Sequence, residues 1–155
     1  MYKTVVFDLD GTLLNTLTDL ADAGNRLCRK YGWPTHERQA YRYFVGNGIP
    51  KLVERLAPAD QRTPAVLEAA LADFKRDYGQ HLRDTTAPYP GIPEMLAKLK
   101  ANGVQLAVFS NKADALAKEV VKDYFGTQYF TIVRGQMTGV APKPAAEGTN
   151  ALLQA

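Results

Sequence analysis

Cysteine is almost missing from these 155 residues: Cys28 stands alone, which excludes an internal disulfide and fits a reducing compartment. It falls on the apolar stripe of an expected helix and reads as core packing. Histidine is nearly as scarce. His36 and His81 have no carboxylate or cysteine at ligand spacing, so both read as surface or structural groups. No block of like charges occurs and the net charge is only +3, so neither a nucleic-acid footprint nor a membrane patch is indicated. No stretch approaches membrane-spanning length, and no apolar run of signal-peptide type precedes Asp8; a cytoplasmic location is expected. Internal repeats and low-complexity tracts are absent as well. What remains is a chain long enough for one compact domain, or one small domain carrying an insertion.

Against that plain background, Val5-Val6-Phe7-Asp8-Leu9-Asp10-Gly11-Thr12 stands out. An apolar strand, read over Lys3 to Leu9, ends in two carboxylates two residues apart, and a glycine turn follows at once. Strand side chains alternate faces, so Asp8 and Asp10 are expected on one side with Leu9 pointing away. Two acids held together at the end of a buried strand repel each other, at a cost unless a cation or a proton relay uses them. Such a pair suits phosphoryl transfer with Mg²⁺. In the blander reading, paired acids in a turn only cap a helix; the apolar strand before them and Gly-Thr after weigh against it.

Leu17, Leu20, Ala21, Gly24, Leu27, Cys28 and Tyr31 recur at helical spacing, with Gly32 as the stop. Short helices are expected around 37–44 and 50–56, separated by Gly46-Asn47-Gly48. Val66 to Tyr78 marks a longer amphipathic helix with Pro64 near its start. From Leu17 to His81 no strand is expected. Residues 84–91 read as a connector that ends in Pro88-Tyr89-Pro90-Gly91. Beyond it, helices over 93–101, 113–124 and 147–154 alternate with strands over 104–109 and 129–133. The nearly continuous apolar run from Leu106 to Phe109 fits a parallel strand buried on both faces. The expected fold is α/β. Its Rossmann-like parallel sheet core comprises residues 1–14 and 84–155, interrupted after the first strand by an all-helical insertion over 15–83.

Ligands in open α/β sheets sit beyond the carboxyl ends of the strands, where Asp8, Asp10 and Ser110-Asn111-Lys112 all fall. Asp8 is the candidate nucleophile, attacking phosphorus to form an acyl-phosphate. Asp10 reaches the leaving oxygen, gives it a proton and later takes one from water. Mg²⁺ would accept an Asp8 oxygen, the Asp10 backbone carbonyl and a phosphate oxygen. Gly11 permits the sharp turn, and Thr12 offers its N–H and hydroxyl to the phosphate. Ser110, with free N–H groups at the following helix start, would hold a phosphoryl oxygen. Lys143, between Pro142 and Pro144, would set a point charge beside the phosphoryl group. Taken singly, Ser110 reads as a helix cap and Lys143 as a solvated charge; their order along the chain favours the joint reading.

With these residues in hand, the chain resembles the haloacid dehalogenase-like superfamily of phosphohydrolases. Phe7-Asp8-Leu9-Asp10-Gly11-Thr12 resembles its first motif, Phe109-Ser110-Asn111-Lys112 its second and Lys143-Pro144 its third. Gly46-Asn47-Gly48, Pro88-Tyr89-Pro90-Gly91 and the stretch 133–143 look most like the phosphoglycolate phosphatase branch. The resemblance implies that the helical insertion is a mobile cap that selects the substrate. Gly46, Asn47 and Gly48 would face that substrate, and Gly11, Thr12 and Asn111 would bind it. Read without the resemblance, Gly46-Asn47-Gly48 is equally a plain turn. Asp10 sets the chain apart from dehalogenases and P-type ATPases. Ile49, three residues after Gly46, occupies the place where phosphonoacetaldehyde hydrolases carry a lysine.

The chain also departs from the family pattern. Relatives carry a fourth motif, a Gly-Asp pair with a further Asp, which completes the Mg²⁺ shell; no Gly-Asp pair follows Lys143. Ala145-Ala146 stands where relatives often place Asp-Pro, and Asn15 replaces a frequent Asp. The core therefore reads as C-terminally incomplete, either a fragment of a longer enzyme or a degenerate member. An apolar sheet edge beside the first strand would be exposed and would favour self-association. The expected function is Mg²⁺-dependent hydrolysis of a small phosphorylated metabolite, phosphoglycolate first, through an aspartyl-phosphate. The alternatives are a non-catalytic phosphate-binding module and a sugar-phosphate mutase.

Overall fold

The structure, a computed structural model, describes residues 2–154. Along the chain run β1 (Thr4–Phe7), β2 (Leu14–Asn15), α1 (Leu17–Tyr31), α2 (Tyr41–Phe44), α3 (Ile49–Leu56) and α4 (Pro64–Gln80). Then follow β3 (Ala87–Pro88), α5 (Ile92–Ala101), β4 (Gln105–Ala113), α6 (Asp114–Phe125), β5 (Phe130–Gln136) and α7 (Ala146–Leu153). They fall into two compact units. One runs up to Asn15 and resumes at Ala87; the other extends from Thr16 to Thr86.

In the first unit β1, β4 and β5 form a parallel sheet in the order β1-β4-β5. β4 takes the centre because its stretch from Leu106 to Ser110 is buried throughout, leaving no face to turn toward water. Its core joins Leu106 and Val108 to Leu9, Leu13, Leu14 and Leu96, and to Ala117, Val120, Val121 and Phe125 on one side of α6. Among the described residues β1 pairs on one side only, and its Val6 is 45% exposed. Such an unpaired, partly apolar edge is a template for further strand pairing.

Several boundaries differ from the sequence reading. β1 ends at Phe7 rather than Leu9, so Asp8 and Asp10 stand in the loop beyond it. β4 continues past Phe109 to Ala113, so Ser110, Asn111 and Lys112 belong to the strand and do not follow it. The apolar run stops at Phe109, but pairing resumes across a bulge, from Phe109↔Arg134 to Ala113↔Gln136. Four positions on β4 thus span two on β5, and a bulge of that kind re-aims side chains. β5 likewise reaches Gln136 rather than Val133. The expected connector at 84–91 contains β3, which pairs antiparallel with β2 through Leu14↔Pro88 and Asn15↔Ala87. Two-residue strands carry no periodicity to read, and proline is tolerated only where no ladder N–H is needed.

The second unit is helical, without a strand among its described residues. Gly32 ends α1 with φ +70°, and the Trp33 N–H returns to the Cys28 carbonyl at 2.8 Å, a left-handed stop that favours glycine. Pro64 opens α4 behind Thr63, whose hydroxyl accepts the Val66 N–H. Tyr41 is fully buried against α1 at Gly24, where an added Cβ would lie 2.5 Å from the Tyr41 hydroxyl. That hydroxyl donates to Asn25 Oδ1 at 2.9 Å. Cys28 is buried, and burial pushes its thiol pKa up to about 11, as suits a packing residue. His81 does have a carboxylate partner after all: its Nδ1 lies 2.7 Å from Asp84 Oδ2, three residues on. No described helix is long and apolar enough to cross a membrane.

The division between units also falls later than the expected breaks at 14/15 and 83/84. β2–β3 pairing keeps Asn15 and Ala87 in the first unit. Hydrogen bonds from Thr85 and Thr86 to Asp19 keep those threonines in the second.

Candidate active site

The loop after β1 is a tight helical turn. The Leu9 carbonyl accepts the N–H groups of Thr12, Leu13 and Leu14 at 3.0–3.2 Å, and the Gly11 N–H donates to the Leu14 carbonyl at 2.8 Å. Gly11 has φ +78°, which a side chain would disfavour. Leu9, Leu13 and Leu14 are wholly buried and anchor this turn to the core, which leaves Asp8 and Asp10 partly exposed on either side of Leu9. The alternation expected of a strand thus persists in the loop. The Thr12 N–H, expected to bind phosphate, is instead committed to Leu9.

Each acid faces a lysine. Lys143 Nζ donates to Asp8 Oδ1 at 2.9 Å and to the Phe109 carbonyl at 2.6 Å. Lys112 Nζ lies 3.1 and 3.2 Å from the two Asp10 oxygens, with its own side chain only 3% exposed. Two lysines, and not a cation alone, therefore offset the repulsion that the paired acids imply. Lys143 was among the expected residues; the pairing of Lys112 was not. A signal existed: Lys112 is two residues after Ser110, and alternate residues of a strand share a face.

Ser110 is buried, and its Oγ accepts the Lys112 N–H at 3.1 Å. It does not stand at a helix start as expected, because α6 begins only at Asp114. Asn111, expected to bind substrate, spends its amide on the third motif. Its Oδ1 accepts the Lys143 N–H at 2.8 Å and its Nδ2 donates to the Lys143 carbonyl at 3.2 Å. A side-chain amide that matches a backbone donor and acceptor together fixes position and direction. The Lys143-Pro144 peptide is cis.

β5 is held against this corner by a close approach. At Gly135 an added Cβ would lie 2.4 Å from the Lys112 carbonyl oxygen, so only glycine fits. The Gly135 N–H donates to Asp114 Oδ1 at 2.9 Å. Burial works to raise the Asp114 pKa, but its bonds to Lys118 and to the Gly135 N–H outweigh that and hold it below the ordinary carboxylate value.

The structure thus joins Ser110, Lys112 and Asp10 in one hydrogen-bonded chain, and Asp8, Lys143 and Asn111 in another. The two chains start from acids two residues apart in the loop after β1. Gly46, Asn47 and Gly48 belong to the helical unit, between α2 and α3. Gly46 and Gly48 have φ +105° and +86°, and the Arg55 guanidinium braces the preceding helix by donating to the Phe44 carbonyl at 2.9 Å.

A parallel α/β core with acids beyond its first strand, and a helical unit inserted soon after them, defines a class of hydrolases. The profile of the family described as haloacid dehalogenase-like hydrolase matches residues 5–155, and the chain belongs to that family. A phosphoglycolate phosphatase of Thiobacillus denitrificans is 33% identical over 145 residues, covering 92% of this chain and 64% of that protein. One from Neisseria meningitidis is 34% identical over 146 residues, covering 92% and 62%. The chain therefore spans less than two thirds of the length of these relatives. Among solved structures, a protein of Lactobacillus delbrueckii subsp. bulgaricus superposes with a TM-score of 0.90 at 28% identity, covering 99% of this chain and 72% of that one.

Proposed function

We propose that this chain carries phosphomonoesterase chemistry directed at a small phosphorylated metabolite, with phosphoglycolate the leading candidate. The observation that supports it is the pair Asp8 and Asp10, each facing its own lysine beyond β1. The names of the relatives favour the same substrate.

In this reading an Asp8 carboxylate oxygen attacks phosphorus. The bond to the leaving oxygen breaks, and Asp10 delivers a proton to it. Asp10 then takes a proton from water, the resulting hydroxide attacks the aspartyl-phosphate, and inorganic phosphate leaves with the Asp8 carboxylate restored. Lys143 neutralises charge beside Asp8, and the two-point hold of Asn111 keeps that lysine in place. The Asp8 and Asp10 carboxylates and the Asp10 carbonyl are hard oxygen donors that fit Mg²⁺, an ion commonly held through one or two carboxylates with water filling the rest. Bound there, Mg²⁺ would supply neutralisation of the phosphoryl oxygens.

A second reading is a non-catalytic phosphate-binding module, in which Asp8 and Asp10 each stay committed to a lysine. Hydrolysis of phosphoglycolate and p-nitrophenyl phosphate, with and without Mg²⁺, separates the two. Phosphatase chemistry predicts Mg²⁺-dependent turnover that falls about 10⁴-fold in Asp8→Asn. Wild-type turnover in that variant would remove Asp8 as nucleophile. Phosphate binding without turnover would leave the second reading standing.

A further inference from the structure

Asp19 lies in the first turn of α1 and is only 2% exposed. Its carboxylate is satisfied by donors from the far end of the same unit. Thr85 donates its N–H to Oδ1 at 2.9 Å and its hydroxyl to the same oxygen at 2.5 Å. Thr86 donates its N–H and its hydroxyl to Oδ2 at 2.9 and 2.7 Å. The chain leaves and re-enters the first unit next to these bonds. On that side β2 and β3 are zipped together, with Asn15 opposite Ala87 and the Tyr89 N–H on the Leu13 carbonyl at 3.2 Å.

We propose that Asp19 is a positioning residue, the clasp that closes the helical unit on itself by fixing its last residues, Thr85 and Thr86, against the first turn of α1. A carboxylate suits the task because it only accepts, and two oxygens can take four or more bonds from neighbouring donors. Burying a charge for stability alone is a poor use of a core position, since an apolar replacement is often as good. A charge that gathers the two ends of a 71-residue insertion, Thr16 to Thr86, does something an apolar group does not. It fixes one end against the other in a single geometry.

The clasp stands apart from the phosphatase reading, because its test has no catalytic component. Residue-resolved hydrogen exchange on the whole chain compares wild type with Asp19→Asn, whose amide keeps one acceptor oxygen and turns an N–H₂ toward the other donors. Exchange at the Thr85 and Thr86 amides should quicken about tenfold or more, while amides in α4 near Phe74 and in β4 near Val108 keep their rates. Thr85→Val, which deletes one hydroxyl bond, should give a smaller increase at the same amides, and Thr85→Ser should restore wild-type rates. Unchanged exchange at Thr85 and Thr86 would overturn the proposal. So would an equal loss of protection throughout α1 and α4, which would make Asp19 an ordinary member of the helical core. If Asp19→Asn fails to fold, the valine and serine pair decides alone, and identical rates in the two would overturn the clasp.

Discussion

The two units use charge in opposite ways. In the sheet unit, two ion pairs join residues more than a hundred positions apart: Lys112 with Asp10, where the lysine is withdrawn from water, and Lys143 with Asp8, which stays partly open to it. In the helical unit they line the surface between α1 and α4. Arg26 grips Asp77 with both side chains about a third exposed, and Lys30 and Arg76 share Asp73. The chemistry is the same; the dielectric surroundings are not. A buried lysine that loses its partner keeps an uncompensated charge, whereas an exposed arginine simply meets water. The first arrangement gathers the residues of the candidate site, and the second lies along the exposed side of two helices.

Substitutions can break that contrast, and Trp33 makes it measurable. It is the only tryptophan and lies buried in the helical unit, so its fluorescence follows that unit, while circular dichroism follows both. The largest effect is expected from Asp10→Ala, which takes a carboxylate away from the buried Lys112 ammonium and should cost the sheet unit about 3 kcal/mol. Its dichroism midpoint in urea should fall while the Trp33 midpoint stays put. Next comes Gly135→Ala. Its methyl would press on the Lys112 carbonyl, and a loss of about 1–3 kcal/mol is expected, again without movement of the Trp33 transition. Smallest is Arg26→Ala, which should cost less than about 1 kcal/mol and fade further in high salt. A loss from Arg26→Ala as large as that from Asp10→Ala would erase the distinction between the units.

Legibility followed the range of the interactions. α1 and its Gly32 stop, α4 behind Thr63-Pro64 and the buried β4 run were readable because each signal lies within one element. Asp8 and Asp10 were readable because two acids at a strand end are a local anomaly. The pairing of Lys112 with Asp10 was missed, since its partner is 102 positions away and a lysine at a strand end looks like any solvated charge. Asn111 was assigned to substrate for want of knowing that Lys143 would fold back over it. β2 and β3 were invisible because two residues have no period, and the Asp19 bonds to Thr85 and Thr86 bridge 66 and 67 positions.

The amino-acid order alone therefore determined which of the longer segments coil or extend, where a helical block interrupts the sheet, and that two acids follow the first strand. Backbone sterics and apolar spacing act over a few residues, and a reader can follow them along a line. Which lysine answers which acid, which amide steadies Lys143, and what closes the inserted unit were decided only in three dimensions. Those choices rest on distance and desolvation, and neither is a property of neighbours in sequence.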